Sequence, residues 1–150
     1  MRTVIQRVTS AQVTIGDETV GSIARGMVLL LGIAPEDTHE DADWLVGKIS
    51  RLRIFDDANG VMNLSLMDTG GEALVVSQFT LMASYRKGNR PSYIHAAPPA
   101  TAVPLYEYFV GRLQQVLGHH VPTGRFGADM QVSLTNDGPV TIVMDSRNPE

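Results

Sequence analysis

The sequence predicts a single α/β domain with a largely antiparallel, barrel-like mixed sheet and two main helices. A chain of 150 residues with 43% hydrophobic side chains can bury one sizeable core. Most apolar segments are short, rich in Val, Ile and Thr, and bounded by turn residues, as strands are. Only two stretches repeat apolar residues at helical spacing. Residues 1–150 contain no repeat, linker or low-complexity tract, so we expect one domain.

The N-terminal part of the chain predicts three strands. Thr3 to Ile15 is rich in branched residues, and Gly16-Asp17-Glu18 is a turn signal. Val20 to Ala24 is therefore expected to return as the second strand of a hairpin. Met27 to Leu31 is a continuous apolar run, which is typical of a strand covered on both faces.

A helix is predicted from Thr38 to about Arg51. Thr38 can cap it, and three acidic side chains follow at its positive N-terminal end. Its buried stripe is expected to consist of Ala42, Leu45, Ile49 and Leu52. A turn at 56–60 follows by composition, and Glu72 to Leu81 predicts a strong strand.

The C-terminal half predicts a long loop, a second helix and two further strands. Ser84 to Pro104 contains four prolines and is expected to be irregular; such a loop inside a compact domain is more often functional than decorative. The second helix is predicted over roughly Ala102 to Leu117. Met130 to Thr135 alternates as a strand does, Asn136-Asp137-Gly138-Pro139 interrupts it, and Val140 to Met144 resumes it.

Composition excludes several classes of function. With no cysteine, the chain has no disulfide framework, thiolate nucleophile or cysteine zinc site. The motifs of phosphate-binding loops, serine hydrolases and zinc proteases are absent, and no histidine has carboxylates at ligand spacing, so we expect no metal and no cofactor. A net charge of −4 means that any RNA contact needs a local basic patch. Without a signal peptide or a long apolar run, a soluble, cytoplasmic protein without a membrane partner is expected.

Two segments have a composition that suggests a site. Ser77-Gln78-Phe79-Thr80 brings polar groups to both faces at the end of an apolar strand. Such a cluster forms either an internal hydrogen-bond network or a ligand pocket, and residue types alone leave both open. Asn136-Asp137-Gly138-Pro139 favours a hairpin turn. The alternative is a Gly-Pro bond in the cis isomer, which few X-Pro bonds adopt.

The chain closely resembles the bacterial-type D-aminoacyl-tRNA deacylase family, historically called D-Tyr-tRNA deacylases. The resemblance covers nearly the whole chain, and its two signature motifs come in the right order and separation. It runs through Ile5-Gln6-Arg7-Val8, Arg53-Ile54-Phe55, Met62-Asn63-Leu64, Val75 to Leu81, Arg90-Pro91-Ser92, Tyr106 to Phe109, Thr123 to Phe126, Ala128 to Leu134 and Asn136 to Thr141.

The resemblance implies a symmetric homodimer with both active sites at the subunit interface. The Ser77 to Thr80 motif would line the pocket for the aminoacylated terminal adenosine of tRNA. Gly138 and Pro139, as a Gly-cis-Pro motif, would reach in from the other subunit. Arg7 resembles the arginine that braces this motif, with Asn136 as a further supporting residue.

The implied activity is an editing reaction: hydrolysis of the ester bond of D-aminoacyl-tRNA. Main-chain carbonyls would hold the ammonium of a D-amino acid and clash with an L side chain. Glycine has no side chain to exclude, so we expect cleavage of glycyl-tRNA too, including glycine mischarged on tRNA(Ala). The resemblance implies that the 2′-hydroxyl of the tRNA activates the water, with N–H groups around Phe79 and Thr80 as an oxyanion site. The rival is Thr80 as a nucleophile, beside which the sequence shows no base.

The basic residues of the Pro-rich loop suggest a contact to tRNA. Arg86, Lys87 and Arg90 are candidates for binding acceptor-stem phosphates, although a solvated basic loop is an equal alternative. Two other functions stay open: a non-catalytic module that binds RNA or nucleotides, and a synthetase editing domain that acts on an L-amino acid. The complete motif of Ser77, Gln78 and Thr80 favours the hydrolase, and the Gly-Pro pair argues against the synthetase domain.

Overall fold

The computed structural model describes residues 1–150 and is organised around one long strand. Strand β1 (Arg2–Ile15) pairs antiparallel with β7 (Gln131–Asp145) on one side. On its other side it pairs with β3 (Gly26–Gly32) and then with β2 (Glu18–Ile23). Strand β6 (Glu72–Ser77) lies parallel to β3. The predicted α/β fold on a largely antiparallel mixed sheet is confirmed.

The first half of the chain follows its predicted elements closely. Gly16 has φ +57° in the turn that joins β1 to β2, a conformation that glycine adopts without a Cβ penalty. Strand β3 is buried along nearly its whole length because β1 and β6 flank it and side chains cover both of its faces.

Helices cover one face of the sheet. Helix α1 (His39–Arg51) begins after Thr38, whose N–H donates to the carboxylate of Asp41 at 2.9 Å, and it ends where predicted. Helix α3 (Pro99–Leu117) packs beside it. A four-residue helix, α2 (Leu66–Thr69), contacts α1 and has no counterpart among the predicted elements.

The core lies on both faces of the sheet. Beneath the helices, 22 buried residues form one cluster, with Phe55, Phe109 and Leu45 among its largest fully buried side chains. On the opposite face a smaller cluster of seven residues includes Val8 and Val76. The sheet therefore has an apolar surface on each side, and the helices cover only one of them.

The strand predicted over Glu72 to Leu81 is shorter than expected. It ends at Ser77, and Phe79–Met82 form a 3₁₀ helix. Partner β3 ends at Gly32, so the last ladder bond is from the N–H of Gln78 to the carbonyl of Leu31, at 2.8 Å. Beyond it the chain satisfies its N–H groups locally, as between Ala83 and the carbonyl of Thr80.

The loop predicted over Ser84 to Pro104 ends earlier than expected, because α3 begins at Pro99 and not near Ala102. The prolines misled the sequence interpretation. Pro99 is the first helical residue, where its missing N–H costs nothing, and Pro104 lies inside the helix, where the bond to Ala100 is lost.

The predicted hairpin turn at 136–139 is wrong. Strand β7 is continuous from Gln131 to Asp145, and it pairs with β1 on both sides of residues 137–140. The register shifts on both sides of the Val8–Asn136 pair, so residues 137–140 leave the ladder as an irregularity and do not reverse the chain.

A small hairpin closes the middle of the chain. Strands β4 (Phe55–Asp56) and β5 (Met62–Leu64) pair across the turn predicted at 56–60.

None of the helices is both long and apolar enough to cross a membrane.

Candidate active site

The Ser77-Gln78-Phe79-Thr80 motif lies where the parallel pair β3–β6 ends. Ser77 is the last residue of β6, Gln78 is the turn residue, and Phe79 and Thr80 open the 3₁₀ helix. Ser77, Gln78 and Thr80 are half-buried, whereas Phe79 is 54% exposed. The strand end thus presents hydroxyl and amide groups at the surface beside an exposed aromatic ring.

These residues border a small pocket of about 60 Å³. Ser77, Gln78 and Phe79 form one side of it. The remaining walls come from the end of β3 and the residue after it, from the start of α3 and the loop before it, and from the segment before β7, through Leu31, Ile33, Ala97, Ala102, Phe126 and Gly127. Such a volume is far below the several hundred Å³ that enclose an ordinary ligand, so further walls must come from outside this chain if the pocket is to hold one.

Within the motif, the side-chain amide of Gln78 donates a hydrogen bond to the hydroxyl of Thr80. That is the hydroxyl's one hydrogen-bond partner in the chain, and an amide is no base at neutral pH. The geometry therefore gives Thr80 no group that could remove its proton. No set of three His, Cys, Asp or Glu side chains lies close enough to hold a metal ion.

The Gly138–Pro139 segment lies at the irregularity of β7. The peptide bond between the two residues is cis, and both are exposed. Gly138 has φ +131°, and a Cβ placed there would meet Cγ2 of Val140 at 2.7 Å and Nη2 of Arg7 at 3.2 Å. Only glycine fits this position without strain.

Arg7 holds this segment from beneath. Its side chain is buried, and Nε donates to the carbonyl of Asp137 at 3.0 Å, while Nη1 donates to the carbonyl of Ile54 at 2.7 Å. The guanidinium also pairs with the carboxylates of Asp56 at 3.2 Å and Asp137 at 3.4 Å. A planar five-donor group suits such a convergence of acceptors.

Asn136 adds a second brace. Its side-chain amide donates to the carbonyls of Arg7 and Val140, both at 2.9 Å. These bonds tie both ends of the irregular segment to one another and to β1. The main chain around Gly138 is therefore held firmly although it faces solvent.

Within one chain the two motifs are not brought together. No residue of 136–140 lines the pocket beside Ser77. Each motif has hydrogen bonds within its own surroundings, yet each has residues exposed to solvent.

The basic residues of the Pro-rich loop are all exposed, and none of Arg86, Lys87 and Arg90 forms an ion pair. The N–H and carbonyl groups of Ser84 and Ser92 exchange two hydrogen bonds of 2.8 Å, which close the loop at its base.

Sequence reasoning did not single out several residues that build the site. Asp56 and Ile54 complete the surroundings of Arg7, and Ala97 and Ala102 line the pocket. Ile54 belongs to the Arg53-Ile54-Phe55 stretch of the resemblance, but no local pattern marks the role of any of the four, because these roles arise from contacts between distant segments. Phe126 lies in the Thr-Gly-Arg-Phe stretch that the family resemblance included, which is the one sequence signal for the pocket wall.

Comparison with known proteins gives consistent matches over the whole chain. A family model described as D-Tyr-tRNA(Tyr) deacylase matches residues 4–145. A D-aminoacyl-tRNA deacylase of Chromobacterium violaceum is 60% identical over 150 residues, and one of Bacteroides thetaiotaomicron is 59% identical; each match covers 100% of both chains.

Solved structures share the architecture. A c-Myc DNA unwinding element binding protein matches with a TM-score of 0.91 and 43% identity, covering 97% of this chain and 98% of the other. A probable eukaryotic D-amino acid tRNA deacylase matches with a TM-score of 0.83, covering 95% and 97%. At 17% identity the second likeness concerns the fold alone.

Proposed function

The chain belongs to the D-Tyr-tRNA(Tyr) deacylase family, whose members hydrolyse the ester of aminoacyl-tRNA, and from that premise we propose that its active site is assembled from two copies of the chain. In this assembly the Ser77 to Thr80 motif of one copy binds the terminal adenosine. The Asn136 to Val140 segment of the other copy reads the handedness of the amino acid.

The observation that carries the proposal is a main-chain segment that is firmly held and yet exposed. Arg7 donates to the carbonyl of Asp137, and Asn136 donates to the carbonyl of Val140 and to that of Arg7 on β1, so three side-chain hydrogen bonds fix the segment at 136–140. Such bracing has no obvious use on a free surface, but a selective site needs it, because selectivity depends on walls that do not yield. Gly138 lets the wall approach a ligand closely because it has no Cβ.

A rigid main-chain wall distinguishes amino acids by exclusion. Its carbonyl groups accept hydrogen bonds from the ammonium of a D-amino acid and leave no room for an L side chain. Glycine cannot be excluded in this way, so the proposed substrates are D-aminoacyl-tRNA and glycyl-tRNA, including glycine on tRNA(Ala).

The distribution of apolar side chains supports the dimer. Val76, Leu30, Val4 and Val143 are register partners across β6, β3, β1 and β7 and share the sheet face that the helices do not cover. Along this row the exposed fraction rises from 1% at Val76 to 64% at Val143. This apolar row therefore ends in a solvent-exposed side chain on β7, a 15-residue strand at the edge of the sheet. Such an exposed apolar edge is typical of a surface that a second subunit covers.

The proposed chemistry needs little from side chains. An aminoacyl ester is already labile, so orientation and an oxyanion site suffice. The first N–H groups of the 3₁₀ helix have no carbonyl partner inside it, and no side chain caps them. As the family resemblance implies, the 2′-hydroxyl of the terminal ribose activates the water in this proposal, and the absence of a base at Thr80 is consistent with that role.

Replacing Thr80 with valine tests this division of labour. Because the hydroxyl is no nucleophile in the proposal, we expect the single-turnover rate on D-Tyr-tRNA to stay within about tenfold of the original. Loss of a true nucleophile costs on the order of 10⁶ in rate. A loss of that size, with tRNA binding intact, would assign Thr80 the covalent role instead.

An assay of amino-acid release tests the function itself. D-Tyr-tRNA, L-Tyr-tRNA and Gly-tRNA are each incubated with the protein, and release from the first and third is expected. No release from any of them would leave a binding module without turnover, a function consistent with the nucleic-acid-binding name of one structural neighbour. Preferential release of L-Tyr would favour the editing domain of a synthetase.

The variant Gly138→Ala tests the wall. The new Cβ would clash with Val140, and φ +131° is unfavourable for alanine, so the segment must shift. We expect release from D-Tyr-tRNA to fall roughly a hundredfold and the ratio of D to L release to fall with it. Gly118→Ala is the matched control, since Gly118 has φ +77° but nothing within 4 Å of a Cβ. Equal D-to-L ratios in all three proteins would refute the wall.

The basic loop completes the proposal. Arg86, Lys87 and Arg90 contact phosphates of the acceptor stem, which makes tRNA binding weaken steeply with salt. A salt-insensitive affinity for tRNA would exclude this contact.

A further inference from the structure

Charge is distributed unevenly along this acidic chain. Residues 73–106 contain no Asp or Glu but hold Arg86, Lys87 and Arg90. All 16 acidic residues and the other nine basic residues lie outside that segment, so the remainder carries a formal charge of −7. A surface of opposite sign to the rest of the molecule attracts a polyanion to one place.

The same loop also carries large apolar side chains that are exposed to solvent. Tyr85 and Ile94 are each 78% exposed, and Tyr93 is 40% exposed. The ring of Tyr93 meets that of Phe79 edge to face, with centroids 5.0 Å apart. Cations interleaved with exposed rings form the kind of surface on which unpaired bases stack while phosphates are neutralised.

A cavity of about 560 Å³ adjoins the loop at the C-terminal end of the 3₁₀ helix, where Met82 lines it, whereas the Ser77 pocket touches the N-terminal end of that helix at Phe79. Tyr85, Arg86, Ile94 and His95 line one wall of it. This volume lies in the range of small-ligand sites.

Most charges on the opposite wall of the cavity are already paired. Arg2 pairs with Asp145 at 2.9 Å, and the buried amine of Met1 pairs with Asp37 at 2.6 Å. Three further polar residues of the lining form no ion pair: the carboxylate of Glu36, and Arg86 and His95 on the loop. The cavity therefore has an uncommitted cation beside an exposed ring, as a nucleotide requires.

We propose that this cavity and its loop bind a nucleotide of the unpaired 3′ strand, just before the terminal adenosine. The inference rests on the proposed function, because it assigns a binding site to the nucleotide that precedes the terminal adenosine of the same tRNA. The 3₁₀ helix from Phe79 to Met82 rises roughly 6 Å and separates the two sites, a span that one or two unstacked nucleotides can cover. Tyr85 and Ile94 hold the base and Arg86 the phosphate. A paired end would not fit, because its bases are already stacked on one another.

Binding of two RNA hairpins tests the proposal without requiring catalysis. Both have the same stem, and one carries a short unpaired 3′ overhang while the other is blunt. The protein is expected to prefer the overhang. Tyr85→Ala is expected to lose about tenfold in affinity for it and little for the blunt hairpin, and Tyr85→Phe to keep the preference, because the ring that stacks is retained.

Two further variants separate the contributions. Arg86→Gln is expected to reduce the salt dependence of binding by about one phosphate contact. Val61→Ala, at an exposed position on the β4–β5 turn, is the control and is expected to bind both hairpins as the original protein does. Equal affinity of the original protein for both hairpins, or an unchanged preference in Tyr85→Ala, would overturn the proposal. Failure of the proposed function is a separate result: the overhang is preferred, yet D-Tyr-tRNA releases nothing.

Discussion

At the scale of single residues, Arg7 shows best what the sequence could and could not predict. The family resemblance pointed to it as the brace of the Gly-Pro segment, and the structure places its guanidinium against the carbonyl of Asp137. Its other partners, Ile54 and Asp56, lie 47 and 49 residues away in the chain. No periodicity or spacing reveals such contacts, since they exist only once the β4–β5 hairpin has folded against β1.

Replacing Arg7 with lysine tests the brace. An ammonium group cannot reach acceptors in several directions as the guanidinium does, so buried carbonyl groups lose their donors. We expect urea unfolding to show a loss of about 2–3 kcal/mol, together with a lower ratio of D-Tyr to L-Tyr release. Arg125→Lys is the control, because Arg125 pairs with Glu18 at the exposed surface, and its stability should change by less than about 0.5 kcal/mol. An unaltered ratio in Arg7→Lys would separate Arg7 from selectivity.

At the scale of elements, the sequence predicted well wherever local pattern and tertiary contact agree. The hairpin of β1 and β2 and helix α1 have both turn or cap signals and a regular apolar pattern. The predictions failed where pairing with a neighbouring strand, and not the local sequence, determines where an element ends. Strand β6 ends early because β3 ends beside it, and β7 continues through Asn-Asp-Gly-Pro because β1 pairs with both of its halves.

The junction between α1 and the end of β7 gives a prediction about pH. Burial would raise the pKa of Asp41, but hydrogen bonds from Ser146 and Thr38 and the charges of the N-terminal amine and Arg147 outweigh it, so the pKa lies below its ordinary value. The folded state therefore binds the proton less tightly than the unfolded chain. This contribution to stability is complete above about pH 4 to 5 and is lost as the pH falls through the lowered pKa.

Urea unfolding as a function of pH measures this contribution. The unfolding midpoint is expected to stay level from pH 7 to 5 and to fall in more acidic solution. Asp41→Asn should be less stable at pH 7 and should fall less steeply in acid. If the unfolding midpoint of the variant falls in acid as steeply as that of the original protein, Asp41 does not contribute to the pH dependence of stability.

At the scale of the whole molecule, two features support a dimer. One is the apolar row that ends at Val143, and the other is the pair of incomplete half-sites. A 60 Å³ pocket beside Ser77 and a braced, exposed segment at Gly138 each lack a partner surface within the chain. The proposed two-fold symmetric dimer would supply both, because each copy would give its segment to the other and receive one in return. The sequence predicted this assembly only through resemblance, since no single-chain pattern encodes an interface.

Sedimentation of the variant Val143→Glu tests the interface. A charge buried on this row without a partner is costly, so we expect the mass to fall from about twice 16.3 kDa to that of one chain, with loss of D-Tyr release and retained secondary structure. Val61→Glu, at a residue 57% exposed on the β4–β5 turn, should remain dimeric and active. A monomeric original protein would remove the basis of the prediction.

Subunit mixing tests the shared site most directly. Gln78→Ala damages one half of the site and Gly138→Ala the other, and each homodimer is expected to be nearly inactive. After the two variants are exchanged into mixed dimers, one site in each hybrid combines two undamaged halves, so roughly a quarter of all sites and of the original D-Tyr release should return. If mixing restores nothing while hybrid dimers are shown to form, each site belongs to a single chain and the account is wrong.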